Sequence, residues 1–201
     1  MAAARKSGGG RRSKTRQAMR HAPKRKPVDK QSMYVKIVIG AMVVLAAVLI
    51  LLPPNLGRPV VYKIETGKGD IVLHVYPSVV PETAANFEKL VTQGYYDGLT
   101  FHRVEDWVVQ GGDNESGGPG WTIPLETTRK LKHYRGAVGM ARLPGDPDSA
   151  SAQFYIVKED SHALDGDYAV FGKVVDGMEV VDQLEAGDEM VSVTRLDETT
   201  P

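Results

Sequence analysis

The sequence predicts a mainly β domain, a closed barrel of short strands with helical caps, preceded by one transmembrane helix. Short β-branched runs bounded by Gly- and Asp-rich turns carry the first part of that expectation. Only two stretches of helical periodicity interrupt them. An uncharged apolar run ahead of them all carries the rest.

The 201 residues suit one ordinary domain with extensions. Lys+Arg total 25 and Asp+Glu total 25, a balance made of opposites. Residues 1–36 hold 12 basic residues against one acid, Asp29, which leaves 13 basic and 24 acidic residues beyond Lys36, so the two segments carry +11 and −11. Such asymmetry indicates two parts in different surroundings. The absence of cysteine excludes a disulfide scaffold, a Cys-ligated metal and a thiol nucleophile.

Residues 1–32 are rich in Gly, Ser, Lys and Arg and read as a disordered basic tail, because they cannot bury enough surface to offset chain entropy. Ile37–Leu52 is uncharged throughout and as a helix would span about 24 Å. Extension to residues 33–54 adds Tyr34 and Lys36 at the interface, giving a signal-anchor helix that enters the lipid bilayer. No A-x-A cleavage pattern follows it. The basic excess places the tail in the cytoplasm and the remainder on the exported side, with a bacterial plasma membrane the expected location. Topogenesis accounts for the tail's charge. The same charge suits anionic lipid, at about 1 kcal/mol per basic residue near the surface. Nucleic acid is disfavoured as a partner, since Tyr34 is the only aromatic there.

Residues 55–59 form a Pro-containing linker, residues 60–195 the folded domain, and residues 196–201 a C-terminal tail. Val60–Thr66 and Ile71–Tyr76 read as a hairpin around Gly67-Lys68-Gly69-Asp70. Pro81 opens a helix through Phe87, Leu90 and Val91 that stops at Gly94. Thr100–Val104, Val108–Gly111, Ala137–Ala141, Gln153–Val157 and Ala169–Val174 are short strands; a second helix follows Gly177, and Met190–Thr194 is the last strand.

Several chemistries are excluded. The loop Gly111–Gly120 has two acids and no Lys-Ser/Thr ending, so it is no phosphate cradle. His102, His133 and His162 lie in no zinc-ligand spacing, and no metal or cofactor is expected. Ser149 and Ser151 sit in no nucleophile elbow.

A set of motifs remains: Phe101-His102-Arg103-Val104, Val108-Val109-Gln110-Gly111-Gly112-Asp113, Gly117-Gly118-Pro119-Gly120, Gly139-Met140-Ala141-Arg142, Ser149-Ala150-Ser151-Ala152-Gln153-Phe154-Tyr155-Ile156, Leu164-Asp165-Gly166 and Val170-Phe171-Gly172-Lys173-Val174. In this order they resemble the cyclophilin family of peptidyl-prolyl cis-trans isomerases, and more closely its bacterial forms. The resemblance implies an eight-stranded antiparallel cyclophilin-like barrel capped by two α-helices, with a substrate groove on one outer face. It implies Arg103 and Gln110 as catalytic residues. The substrate-binding residues it implies are Trp107, Val108, Ala141, Arg142, Gln153, Tyr155, Leu164 and Tyr168. Substrates would be proline-containing exported polypeptides, and no cofactor is involved. Strand alternation points the same way, since Gln153 and Tyr155 share one face while Phe154 and Ile156 share the other.

The chain also departs from the family pattern. Glu105-Asp106-Trp107 is one residue shorter than the common form, Ala163 replaces a Trp, and Tyr168 replaces a His. The Ala163 replacement disfavours tight cyclosporin binding. Tyr155 replaces a Phe and brings a hydroxyl that must find a partner. The alternative function is a weakly catalytic, membrane-tethered module that binds proline peptides.

Overall fold

The computed structural model describes residues 38–44, 56–113 and 117–196. The chain divides into two units, Met1–Leu52 and Pro53–Pro201. In the first, helix α1 covers 38–44 and leaves Val38, Ile39, Met42, Val43 and Val44 exposed. The expected membrane-spanning helix is not part of the described fold. The rest of 33–54 lies outside the described residues, as do 1–32 and 197–201, and among the described residues no helix is long and apolar enough to cross a membrane.

The second unit runs β1 (Val60–Thr66), β2 (Gly69–Val75), α2 (Pro81–Thr92), β3 (Arg103–Val104), β4 (Val108–Gly111), β5 (Ala137–Met140), β6 (Phe154–Val157), β7 (Val170–Asp176), α3 (Met178–Gln183) and β8 (Met190–Leu196). One eight-stranded sheet takes the order β3-β4-β6-β5-β7-β2-β1-β8, with antiparallel neighbours throughout. The expectation of a closed barrel is corrected here. The end strands β3 and β8 form no ladder, and the seam between them is crossed by a single bridge, Thr100 to Glu189, and by backbone bonds such as Phe101 N to Asp188 O at 2.8 Å. Thr100–His102 stays irregular because its peptide groups meet the loop before β8, so β3 shrinks to two residues and cannot zip the seam.

Strand alternation sorts the apolar residues into two clusters. Inside the sheet lie Ile64, Leu73, Phe101, Val109, Phe154, Ile156 and Phe171, all fully buried. Helix α2 closes this core by inserting Phe87, whose ring meets Tyr62 edge-on at 5.2 Å and Phe154 edge-on at 5.8 Å. Pro81 suits the first turn of α2, where an N–H would be unpaired anyway. Val80 supplies no side-chain cap; instead the Glu126 carboxylate accepts from Thr83 N at 2.7 Å and Thr83 Oγ1 at 2.8 Å. Gly94, at φ 64°, ends the turn after the helix, a conformation glycine adopts at little cost. A smaller cluster of Val108, Ala137, Tyr155, Val157 and Val170 sits on the outer face of β4, β6, β5 and β7. One 3₁₀ turn over His162–Leu164, which sequence periodicity did not indicate, brings Leu164 against it.

Candidate active site

The outer cluster marks the site, and strand register builds it. Arg103 pairs with Gln110, Gln110 with Tyr155, and Tyr155 with Gly139. These four residues form one row across β3, β4, β6 and β5, on the face opposite Phe154 and Ile156. Along that row lies a notch of about 280 Å³. Nine of the ten residues expected from the sequence line it: Arg103, Gln110, Trp107, Val108, Ala141, Arg142, Tyr155, Leu164 and Tyr168. Pro144 joins them, and Gln153 does not. Gln153 lines an adjoining groove of about 820 Å³, which also touches Gln110, Ala141 and Arg142.

The floor of the notch is apolar and its rim is cationic. Arg103 stands at the rim with 43% of its side chain exposed. Its Nε donates to Glu105 Oε1 at 2.7 Å, and its Nη1 to Gln110 Oε1 at 3.3 Å. Gln110 Nε2 in turn donates to Gln153 Oε1 at 2.8 Å, which aligns both amides beside the guanidinium. Arg142 straps two loops together: its Nε donates to Asp167 O at 2.7 Å, and its guanidinium lies 4.7 Å from the Tyr168 ring centre.

The Tyr155 hydroxyl finds a protein partner. It lies 2.8 Å from His133 Nε2, while His133 Nδ1 lies 2.8 Å from Asp165 Oδ1. A carboxylate accepts only, so Nδ1 carries the proton and Nε2 accepts from the tyrosine. Asp165 also accepts from His133 N at 2.9 Å, and its Oδ2 lies 3.0 Å from His162 Nδ1. Burial lowers the His133 pKa, against the opposing pull of Asp165. Burial likewise pushes the Tyr155 phenol far above its ordinary value. Burial works to raise Asp165, but the N–H donors of His133 outweigh it and hold the carboxyl below its usual range. The imidazole is therefore neutral and locked behind the notch. His102 is exposed and takes no part in this chain of bonds.

Sequence reasoning missed His133, Asp165, Glu105 and Gly139 as site residues. A Cβ on Gly139 would stand 2.4 Å from Tyr155 Cζ and Oη, so the bare backbone is what lets the ring lie across β5. A glycine inside a strand was the available signal for such a close approach.

A family model described as Cyclophilin type peptidyl-prolyl cis-trans isomerase/CLD matches residues 61–200. This chain belongs to the cyclophilin family. The cyclophilin is 44% identical over 128 residues to peptidyl-prolyl cis-trans isomerase B of Bacillus subtilis, covering 61% of this chain and 88% of that protein. It is 38% identical over 137 residues to a Helicobacter pylori peptidyl-prolyl cis-trans isomerase, covering 65% and 83% respectively. Among solved structures it resembles a Cryptosporidium parvum cyclophilin type isomerase determined in the presence of the dipeptide Ala-Pro, with TM-score 0.63 and 26% identity over 69% of this chain and 99% of that one. The enzyme class of this cyclophilin is peptidyl-prolyl cis-trans isomerase.

Proposed function

We propose that this cyclophilin isomerises X–Pro bonds of exported polypeptides as they fold, with Arg103 stabilising the twisted amide without covalent chemistry. Rotation about an X–Pro bond breaks C–N resonance over a barrier of about 18–20 kcal/mol and takes tens to hundreds of seconds unaided. A catalyst succeeds by binding the half-rotated amide better than either planar form. On twisting, the prolyl nitrogen becomes pyramidal and its lone pair can accept a hydrogen bond. The observation that carries the reading is the Arg103 guanidinium at the rim of an apolar notch, braced by Gln110 and Glu105. A proline ring against Val108, Tyr155 and Leu164 would set its imide beside that donor. A guanidinium stays charged at any working pH and presents fixed donors, which suits Arg better than Lys. The Cryptosporidium parvum relative was determined in the presence of Ala-Pro, which supports a proline-containing ligand for this cyclophilin.

The first 54 residues support a location for this reading. Twelve basic residues precede an uncharged run that ends at Leu52, and the apolar side chains of α1 are exposed and need cover. A membrane anchor with a cytoplasmic N-terminus and an exported isomerase domain meets both needs, in a bacterial plasma membrane.

Arg103→Ala in the full-length protein tests the assignment. One preorganised charged donor is worth about 3–4 kcal/mol, so kcat/KM for a proline tetrapeptide should fall about a hundredfold or more. A variant that keeps peptide affinity and loses turnover supports the reading. Equal rates for the two proteins would remove Arg103 from the mechanism.

A further inference from the structure

Resting on that role of Arg103, we propose that Glu105 is a positioning residue of the reaction, one carboxylate that sets both the Arg103 guanidinium and the Trp107 indole. The shortened connection between β3 and β4 creates the arrangement. Arg103 pairs with Gln110 and Val104 with Val109, and Glu105 N donates to Val108 O at 2.8 Å, so Asp106-Trp107 is a two-residue hairpin turn. Strand alternation then puts the side chains of residues 103 and 105 on one face.

Both carboxylate oxygens are used. Oε1 accepts from Arg103 Nε at 2.7 Å, and Oε2 accepts from Trp107 Nε1 at 2.8 Å. Each partner is a donor only, so the site needs two acceptors, which a carboxylate has and an amide lacks. With Nε held by Glu105 and Nη1 by Gln110, the guanidinium plane is fixed at two points. Among the described residues Nη2 makes no hydrogen bond, which leaves it for the substrate. The guanidinium carbon lies 5.5 Å from the Trp107 ring centre, so the donor and the apolar wall of the notch move together. The turn itself is tied to β6: Lys158 N donates to Trp107 O at 2.7 Å, and Lys158 Nζ to Glu105 O at 3.2 Å. The Arg103 bond, and after it the Trp107 bond, hold the Glu105 carboxyl below its ordinary range, so it is ionised at neutral pH.

Positioning and simple charge compensation predict opposite signs. If Glu105 only offset the Arg103 charge, its removal would strengthen the cation and speed the reaction. If it orients the guanidinium, its removal slows the reaction. The experiment measures kcat and KM by magnetisation-exchange NMR on a proline tetrapeptide, using full-length wild type, Glu105→Ala, Glu105→Gln, Arg103→Ala and the Arg103→Ala/Glu105→Ala double variant. A misdirected donor should lower kcat about tenfold in Glu105→Ala with little change in KM, with Glu105→Gln between the two. In the Arg103→Ala background the second substitution should cost much less than in wild type, because only the Trp107 bond remains to be lost, and an undiminished cost there overturns the proposal. The chain has two tryptophans, so the Trp107 indole N–H resonance is readily assigned. It should shift in Glu105→Gln, and in wild type it should move on acidification as the carboxyl titrates.

A Glu105→Ala rate equal to or above wild type overturns the proposal, as does a Trp107 indole resonance unchanged in Glu105→Gln. If Glu105→Ala fails to fold, the Glu105→Gln rate and resonance decide alone. Loss of rate in Arg103→Ala together with a normal rate in Glu105→Ala refutes the Glu105 role only. A normal rate in Arg103→Ala refutes the reading beneath it.

Discussion

Tyr155→Phe removes one oxygen and leaves the ring that floors the notch in place. Its cost follows from what the oxygen holds. His133 is 0% exposed, and its Nε2 has the Tyr155 hydroxyl at 2.8 Å as its partner. Without that hydroxyl a buried acceptor is left unpaired, which costs about 1–3 kcal/mol, more than the net worth of an ordinary hydrogen bond. For a domain of this size each kcal/mol lowers the melting temperature by about 2–4 °C. The destabilisation also depends on pH, with a definite sign. In the folded chain burial keeps the His133 pKa below the ordinary imidazole value of about 6.5. As the pH falls through about 6.5, the unfolded chain takes up a proton that the folded chain refuses. Stability present above that pH is thus lost on acidification, until the folded imidazole titrates as well. Phenylalanine leaves the Nε2 lone pair open to a proton, so the folded pKa rises toward the unfolded one and this acid-side loss shrinks. Wild type and variant should therefore differ most above neutrality and least in mild acid. Urea titrations at about pH 7.5 and about pH 5.5 bracket the imidazole range and read the difference directly. Peptide KM should hardly change, because the apolar ring surface is kept. A stability difference under about 0.5 kcal/mol at the higher pH, or one independent of pH, would refute the bonded chain from Asp165 through His133 to Tyr155.

Two further outcomes follow from the same geometry. Gly139→Ala puts a methyl group 2.4 Å from the tip of Tyr155, so the ring must leave its place; kcat/KM should fall between about tenfold and a hundredfold, as for reacting groups displaced by about 1 Å. Crystals of that variant with Tyr155 unmoved would contradict the account of the glycine. If the isomerase domain is exported as proposed, protease added to intact spheroplasts should digest residues 60–195 and spare the basic tail; digestion of the domain only after lysis would reverse the proposed topology.

What could be read from the sequence was local in character. Alternation along four or five residues was enough to separate Tyr155 from Phe154 and Val108 from Val109, because side-chain direction in a strand has period two. The helix over Pro81–Thr92 was legible for a similar reason: its apolar spacing and its proline and glycine punctuation are all carried by neighbours in the chain. What stayed hidden depends on pairing. Arg103, Gln110, Tyr155 and Gly139 become a row only through the register of four strands, which no single strand encodes. The open seam depends on how much of Thr100–Val104 is drawn off by the loop before β8, and strand propensity says nothing of that competition. Glu105 is the sharpest case. In the sequence it was one letter of a shortened connection, seen as a gap in the family pattern. Once the two-residue turn forms, the same shortening points its carboxylate along the face that Arg103 occupies and brings Trp107 back onto it. A deletion that looked like a loss thus supplies the acceptor its two neighbours need, and the geometry of the rim follows from turn length as much as from residue type.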